Sequence, residues 1–556
     1  MRFILTPGIV AVLASCSTQA FSLASQRQCS NIIAVRGGAA PRRMTSTLTS
    51  DAETTTAATM TAYSQLVKKL ETITHLKRAK SVLGYDQQVF MPSAASAERG
   101  AQMAAVATVL HQAKTDPILL ELMDQALKEE PLNSDQARLL ELERKSFVEN
   151  ARVPSELAAK AASLAAAAHA TWVQARATSD FAKFADTLQD CFDTSMQIAT
   201  AKQGSDKNLY DFMIDEYEMG MTQERLDTIF AQVEEMLVPL IQKVLASDKG
   251  PSMDPLHGDF PIDQQQKLSE RLVKAIGFNT DRGRIDVSVH PFTSSMSSSD
   301  VRITSRFRTD DWYQGLAGSI HEGGHAIYEQ SLPSSALSLD TFLSMGTHES
   351  QSLFWERHVG LSKPFWKYAT PMLHELLPDT AKYSAEEIYG AINAVTGTSL
   401  IRVEADELSY PLHVILRYNI EKDVISGKLQ VADIPSRWNA DMKRYLNVEV
   451  PSDDKGCLQD VHWSALAFGY FPTYLIGAIA AAQLYHYCQK DISDLEDKIA
   501  QGEFQPIKEW LSDKVHRHGR RYKSLDALLE AQLGEPLNPQ YFLDYLNTKY
   551  VDLYKL

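Results

Sequence analysis

Two histidines four residues apart, with a glutamate directly after the first, stand in SIHEGGHAIYEQ at residues 319 to 330. On a helix turning about 100° per residue, His321 and His325 project about 40° apart and one turn apart, so both imidazoles can reach one metal ion. Glu322 lies about 100° round from His321, where its carboxylate can face a metal-bound water without itself being a ligand. That is the chemistry of metal-assisted hydrolysis. The competing reading, two histidines on an ordinary core-facing helix, has the same periodicity. Ser319 and Glu322 early in the stretch, with apolar Ile320, Ala326 and Ile327, fit a buried helix near a cleft.

Gly323 and Gly324 interrupt this helix, and each lowers its stability by about 1 kcal/mol relative to alanine. Gly324 falls about 60° to the other side of His321, so its missing side chain is expected to leave space beside the metal. Gly323 points backward, where another backbone is expected to pack closely. Metal bonds can offset the lost propensity.

A hydrolytic zinc site needs a third protein ligand and one open position. GTHESQSLFWERHVG, residues 346 to 360, carries the candidates. Glu349 follows His325 by 24 residues, enough for a turn and the start of an antiparallel neighbouring helix. Glu356, seven further on, shares its helical face, so periodicity leaves both open. Glu356 can equally pair with Arg357 or a histidine. His348 is an alternative ligand or a supporting group.

The elements that must position these residues are helical. From Ala62 onward apolar residues recur at three and four spacings, as in AYSQLVKKLETITHLKRAKSVLGYD, and ELAAKAASLAAAAHATWVQA is nearly pure helix former. A Pro/Gly/Asp-rich break, SDKGPSMDPLHGDFP, spans residues 247 to 261. After it, RIDVSVHPF at 284 to 292 and DVRITSRF at 300 to 307 alternate β-branched and polar residues and predict strands. Helices then resume. No internal repeat is visible, which argues against a solenoid. The expected fold is all-α, with one small β-sheet beside the motif helix.

Seven blocks, in order, carry a resemblance: YDQQVFMP at 85 to 92, HPF at 290 to 292, DVRIT at 300 to 304, HEGGH at 321 to 325, HESQS at 348 to 352, IRVEADELSYPLH at 401 to 413 and GCLQDVHW at 456 to 463. With them the chain resembles the carboxypeptidase Taq family of metallocarboxypeptidases over residues 62 to 556. The resemblance implies one zinc per chain held by His321, His325 and Glu349, with Glu322 taking a proton from the metal-activated water and delivering it to the leaving amine. Cobalt or manganese are possible substitutes. It also implies a helical, groove-containing architecture like the neurolysin and thimet oligopeptidase group, peptide substrates and a homodimer. Tyr85 stands where relatives often carry Trp, and Gly323 fills a variable slot.

Other roles are expectations from block matching. Tyr410 and His413, and the cluster GYFPTY at 469 to 474, are candidates for stabilising the oxyanion. Holding a peptide's terminal α-carboxylate suits the planar fork of arginine. Arg402 is the first choice and Arg302 the second, although Arg302 can instead pair with Asp300. His290, Gln459 and His462 complete the expected substrate-binding set, and Asp460 shapes it or caps a helix. The leading activity is release of single C-terminal residues from peptides with broad specificity. The alternatives are an oligopeptidase cutting internally in short peptides, and an inactive, metal-free helical binding protein; intact His321, Glu322, His325 and Glu349 argue against the last.

The chain's 556 residues, 44% of them hydrophobic, provide ample material for a large core. Residues 1 to 50 hold five arginines and no acid, and read as a targeting presequence: an apolar signal from Phe3 to Ala14, then an Arg- and Ser-containing transit-like stretch. The order resembles the two-part plastid presequences of algae with secondary plastids; secretion or another organelle is the alternative. Residues 51 to 61 read as a flexible tether and 62 to 556 as the catalytic domain. Without residues 1 to 50 the net charge is near −20, which argues against nucleic acid as a partner. No later apolar run reaches the roughly 18 residues of a membrane helix, so the mature protein is expected to be soluble. Cys191, Cys457 and Cys488 are too scattered for a disulfide framework or a thiolate metal cluster.

Overall fold

Thr61 opens the first described helix: its hydroxyl accepts the Ser64 backbone N–H at 3.2 Å. The computed structural model describes residues 60–129, 131–203, 208–395 and 400–556. The presequence and nearly all of the tether therefore lie outside the described residues.

The helices that matter for the site are α1 (Ala62–Val89), α2 (Ile262–Ala275), α3 (Tyr313–Ser331), α4 (Met345–Leu353), α5 (Tyr410–Ile425) and α6 (Pro472–Asp491). Between α2 and α3 lie β1 (Gly283–Val287), β2 (Phe292–Ser297) and β3 (Asp300–Ser305). The protein is thus mostly helical with one three-stranded sheet, and β3 sits in the middle, parallel to β1 and antiparallel to β2.

The strands differ from the sequence expectation in one respect. The first stops at Val287, and His290–Pro291 falls in the connection to β2. FTSSMS, with little β-branched alternation, then forms a strand of its own. Cross-strand pairing to β3, with Thr293 opposite Ile303, overrides its weak intrinsic preference.

Local chemistry sets the ends of the motif helices. The Asp311 carboxylate accepts the Tyr313 and Gln314 N–H groups at 2.9 and 3.2 Å, satisfying two donors at the start of α3. Pro333 follows its last turn, where the preceding residue is driven out of helical geometry. Ser344 caps α4 by accepting the Thr347 N–H at 3.1 Å, and the buried Glu218 carboxylate accepts that of Gly346 at 2.9 Å.

One large apolar cluster surrounds α3, α4, α5 and α6. A second one unites the N-terminal helices through Leu66, Leu70, Leu119, Leu122, Leu139 and Leu140. The small residues of GAIAAAQ in α6 allow a close approach to α4: a Cβ on Gly477 would stand 2.7 Å from that of Glu349. Among the described residues no helix is long and apolar enough to cross a membrane. Cys191, Cys457 and Cys488 are buried and free.

Candidate metal centre

Contacts between α3 and the stretch from Leu343 through α4 to Glu356 descend one as they ascend the other. His321 meets Glu356, His325 meets His348 and Tyr328 meets Leu343, so the two elements run antiparallel. His321, His325 and Glu349 come together, with one ligand atom from each lying within 4.8 Å of the others. His325 Nε2 is 3.4 Å from Glu349 Oε2, and His321 Nε2 is 3.9 Å from it. These separations are long for hydrogen bonds. The first matches the edge of a coordination tetrahedron, roughly 3.3 Å for bonds of about 2.05 Å, and the second exceeds it by about 0.6 Å.

The opposite ring nitrogens are pinned. His321 Nδ1 lies 2.7 Å from Glu356 Oε2, and His325 Nδ1 lies 3.1 Å from the His348 carbonyl. If both Nδ1 atoms donate, both Nε2 lone pairs turn inward, as metal-ligating histidines require. The donor set of two imidazoles and a carboxylate therefore fits a divalent transition metal.

The electrostatics agree. Burial disfavours charge on His321, but Glu356, Glu349 and Glu322 outweigh it and push its pKa up to about 9. Burial and the stacked His348 ring push His325 down to about 3. Burial would raise Glu349, yet His325, His321 and Arg357 hold it down at about 2. An anionic, desolvated pocket with one imidazole that stays neutral is one in which a cation can replace a proton.

Glu322 is 2% exposed. The Thr293 hydroxyl lies 2.6 Å from Glu322 Oε2, so β2 fixes this carboxylate from the sheet side. Burial raises its pKa, opposed by His321 and Thr293.

The glycines have the reverse of the roles expected from helical angles. A Cβ on Gly324 would stand 2.7 Å from both the Gln351 carbonyl oxygen and Ser352 Cα, so Gly324 is where the α4 backbone approaches. A Cβ on Gly323 would meet a side chain, Val273 Cγ1 of α2, at 3.0 Å. The helical angle fixes only a direction; the neighbour that arrives there is a tertiary fact.

Arg402, Tyr410, His413, Gln459, Asp460 and His462 form a second, buried layer. Arg402 donates from Nε and Nη2 to Asp460 Oδ1 at 3.1 and 2.9 Å, and from Nη1 to the Tyr410 hydroxyl at 3.2 Å. Arg417, on α5, donates to Asp460, to the His413 carbonyl and to Gln459 Oε1. Gln459 Nε2 also donates to the carbonyls of Leu400, Lys455 and Gly456, which occupies the amide fully. His462 Nε2 is 3.1 Å from the Tyr474 hydroxyl. His413 is wholly enclosed within α5.

Arg302 forks onto Asp300, with two contacts of 2.8 Å, and lies over the Tyr85 ring. Tyr85 itself donates to Asp286 at 2.6 Å. The His290 carbonyl accepts from Thr304 at 3.2 Å. Sequence reading missed Thr293 and Arg417; Thr293 lies one residue beyond HPF and Arg417 four beyond His413, and neither has a periodic signal.

A mostly helical chain that sets a His-Glu-x-x-His helix antiparallel to a glutamate-bearing helix has the layout of a metallopeptidase. The family model described as carboxypeptidase Taq (M32) metallopeptidase matches residues 65–550, and the chain belongs to that family. It is similar to Carboxypeptidase 1 of Bacillus subtilis, with 37% identity over 88% of this chain and 97% of that one. Among solved structures, an M32 carboxypeptidase from Deinococcus radiodurans R1 has a TM-score of 0.86 and 34% identity, covering 89% of this chain and all of that one. Metallocarboxypeptidase 1 of Trypanosoma cruzi has a TM-score of 0.84 and 34% identity, covering 88% and 99%. The family's members are metal-dependent peptide hydrolases, which makes this chain one of them.

Proposed function

We propose that this chain is a zinc carboxypeptidase that releases single C-terminal residues from peptides, with His321, His325 and Glu349 as the metal ligands. The convergence of two pinned imidazoles on one carboxylate, at 3.4 and 3.9 Å, carries this reading. Two nitrogens and one oxygen suit zinc, and leave a position open.

A divalent ion held there supplies Lewis acidity toward water and a peptide carbonyl. Glu322 is the proposed general base and acid, because its carboxylate is buried next to the ligand helix and aimed by Thr293. Tyr410 is the preferred oxyanion donor. Its oxygen already accepts from Arg402, so its own proton remains available. Arg402 then acts by orienting Tyr410, while His413, Gln459 and His462 support the layer behind it.

Peptides with a free and an amidated C-terminus test the reading. The free peptide should lose its last residue and the amide should persist; equal cleavage of both favours the oligopeptidase alternative. Chelation should abolish activity, and zinc should restore it. We further propose a homodimer, in line with the family resemblance, and plastid delivery by residues 1 to 50; light scattering and localisation of a tagged full chain check these.

A further inference from the structure

An exopeptidase must hold a terminal carboxylate, and Arg402, Arg417 and Arg302 have already committed their forks. Arg402 is spent on Asp460 and Tyr410, Arg417 on Asp460, His413 and Gln459, and Arg302 on Asp300. Arg357 differs. It is 7% exposed, yet among the described residues no hydrogen bond or ion pair engages its guanidinium, and Nη1 is sealed from solvent without an acceptor.

A guanidinium stays protonated and offers five donors. Leaving such donors unmet in a desolvated site is unfavourable, so an unfilled fork marks a place where a ligand completes the structure. Burial disfavours the charge, while the carboxylates of Glu356, Glu407 and Glu349 favour it from beyond contact distance.

Position argues in the same direction. The Arg357 guanidinium carbon lies 4.9 Å from the centroid of the Tyr410 ring, the proposed oxyanion donor. The preceding residue, Glu356, orients the ligand His321. Both belong to a π-helical run, Phe354–Gly360, that continues α4, and such insertions recur at functional sites. In a terminal residue the scissile carbonyl carbon and the carboxylate carbon are less than about 4 Å apart. Recognition of one must therefore sit close to chemistry at the other, as a residue beside both Glu356 and Tyr410 does.

We propose that Arg357 is the substrate-binding residue that takes the peptide's terminal α-carboxylate, the role that block matching assigns to Arg402 or Arg302. A carboxylate is planar, anionic and bidentate, and so complements the empty fork. The inference rests on the carboxypeptidase reading above.

The test uses zinc-loaded full-length enzyme and one N-blocked peptide, as free acid and as amide. Wild type should cleave the acid and spare the amide; if it cleaves both equally, the carboxypeptidase reading fails and this inference falls with it. Given that discrimination, Arg357→Gln should raise KM for the acid by about a hundredfold with kcat changed only a few-fold and one equivalent of zinc retained. Arg357→Lys keeps the charge but not the fork, and should raise KM about tenfold. It also serves if the Gln variant does not fold. Binding of the acid to Glu322→Gln enzyme, measured by calorimetry with and without Arg357→Lys, should weaken by the same factor. Unchanged KM and binding in the lysine variant, with zinc in place, overturn the assignment, as does a larger KM effect from Arg402→Lys than from Arg357→Lys.

Discussion

Gly324→Ala isolates the contact on which the geometry of the centre depends. The new methyl carbon would stand 2.7 Å from the Gln351 carbonyl oxygen and from Ser352 Cα, whereas ordinary contact begins near 3.4 Å. Both obstacles are backbone, so α4 must move away from α3 by about 0.7 Å. Alanine returns about 1 kcal/mol of helix propensity. Overpacking against rigid neighbours opposes it by about 1 to 3 kcal/mol, so the net change is neutral to destabilising by about 2 kcal/mol. Metal binding should be affected more. Glu349 lies three residues before Ser352, and ligand distances tolerate only about 0.2 Å. A displacement several times larger should weaken zinc affinity on the order of 10- to 100-fold. Gly323→Ala is the control, because the atoms its methyl meets, Val273 Cγ1 at 3.0 Å and Val273 Cγ2 and Ile276 Cδ1 at 3.7 Å, are all side-chain atoms and none belongs to α4. Competition with a fluorescent chelator and thermal melts of the apo and zinc forms give both quantities. Wild-type zinc affinity in Gly324→Ala, or an equal loss in Gly323→Ala, would refute the packing argument.

Other substitutions separate the remaining roles. Glu322→Gln should keep one equivalent of zinc and lose turnover by at least about a hundredfold; loss of zinc together with activity contradicts that division. Glu356→Gln should lower zinc affinity by about 10- to 100-fold, read by the same competition assay, because His321 loses its anionic partner. Glu218 provides a pH test: burial raises its pKa from 4.5 to about 7, and its Oε1 is buried without a partner. The stability linked to its proton is fully present below pH 4.5 and lost as pH rises through 7. The stability of Glu218→Gln relative to wild type should therefore climb by about 3 kcal/mol across that window and then level off, measured by denaturant titration; a flat difference excludes the mechanism.

Local spacing revealed much of the centre and little of its support. His321, Glu322 and His325 announce themselves because four residues make nearly one helical turn, and any fold that keeps the helix keeps their alignment. Glu349 and Glu356 could not be told apart, since seven residues return to one face. In the structure both approach His321, one from each ring nitrogen, and this two-sided grip is tertiary. Thr293 was hidden for a similar reason. FTSSMS resembles a loop until β3 pairs with it, and only then does a hydroxyl arrive beside Glu322. Arg402 was identified by its motif, but its partner Asp460 is 58 residues away in sequence, so nothing local indicated that its fork is filled.

The two imidazoles are secured by unlike means, and this sets what variation can reach. The peptide oxygen behind His325 belongs to the main chain at His348 and survives any exchange of side chain there. The oxygen behind His321 comes from Glu356, whose side chain is 25% exposed and replaceable. Drift or engineering can thus adjust the electron-donating strength of one nitrogen by a single codon, while the other is inherited with the fold.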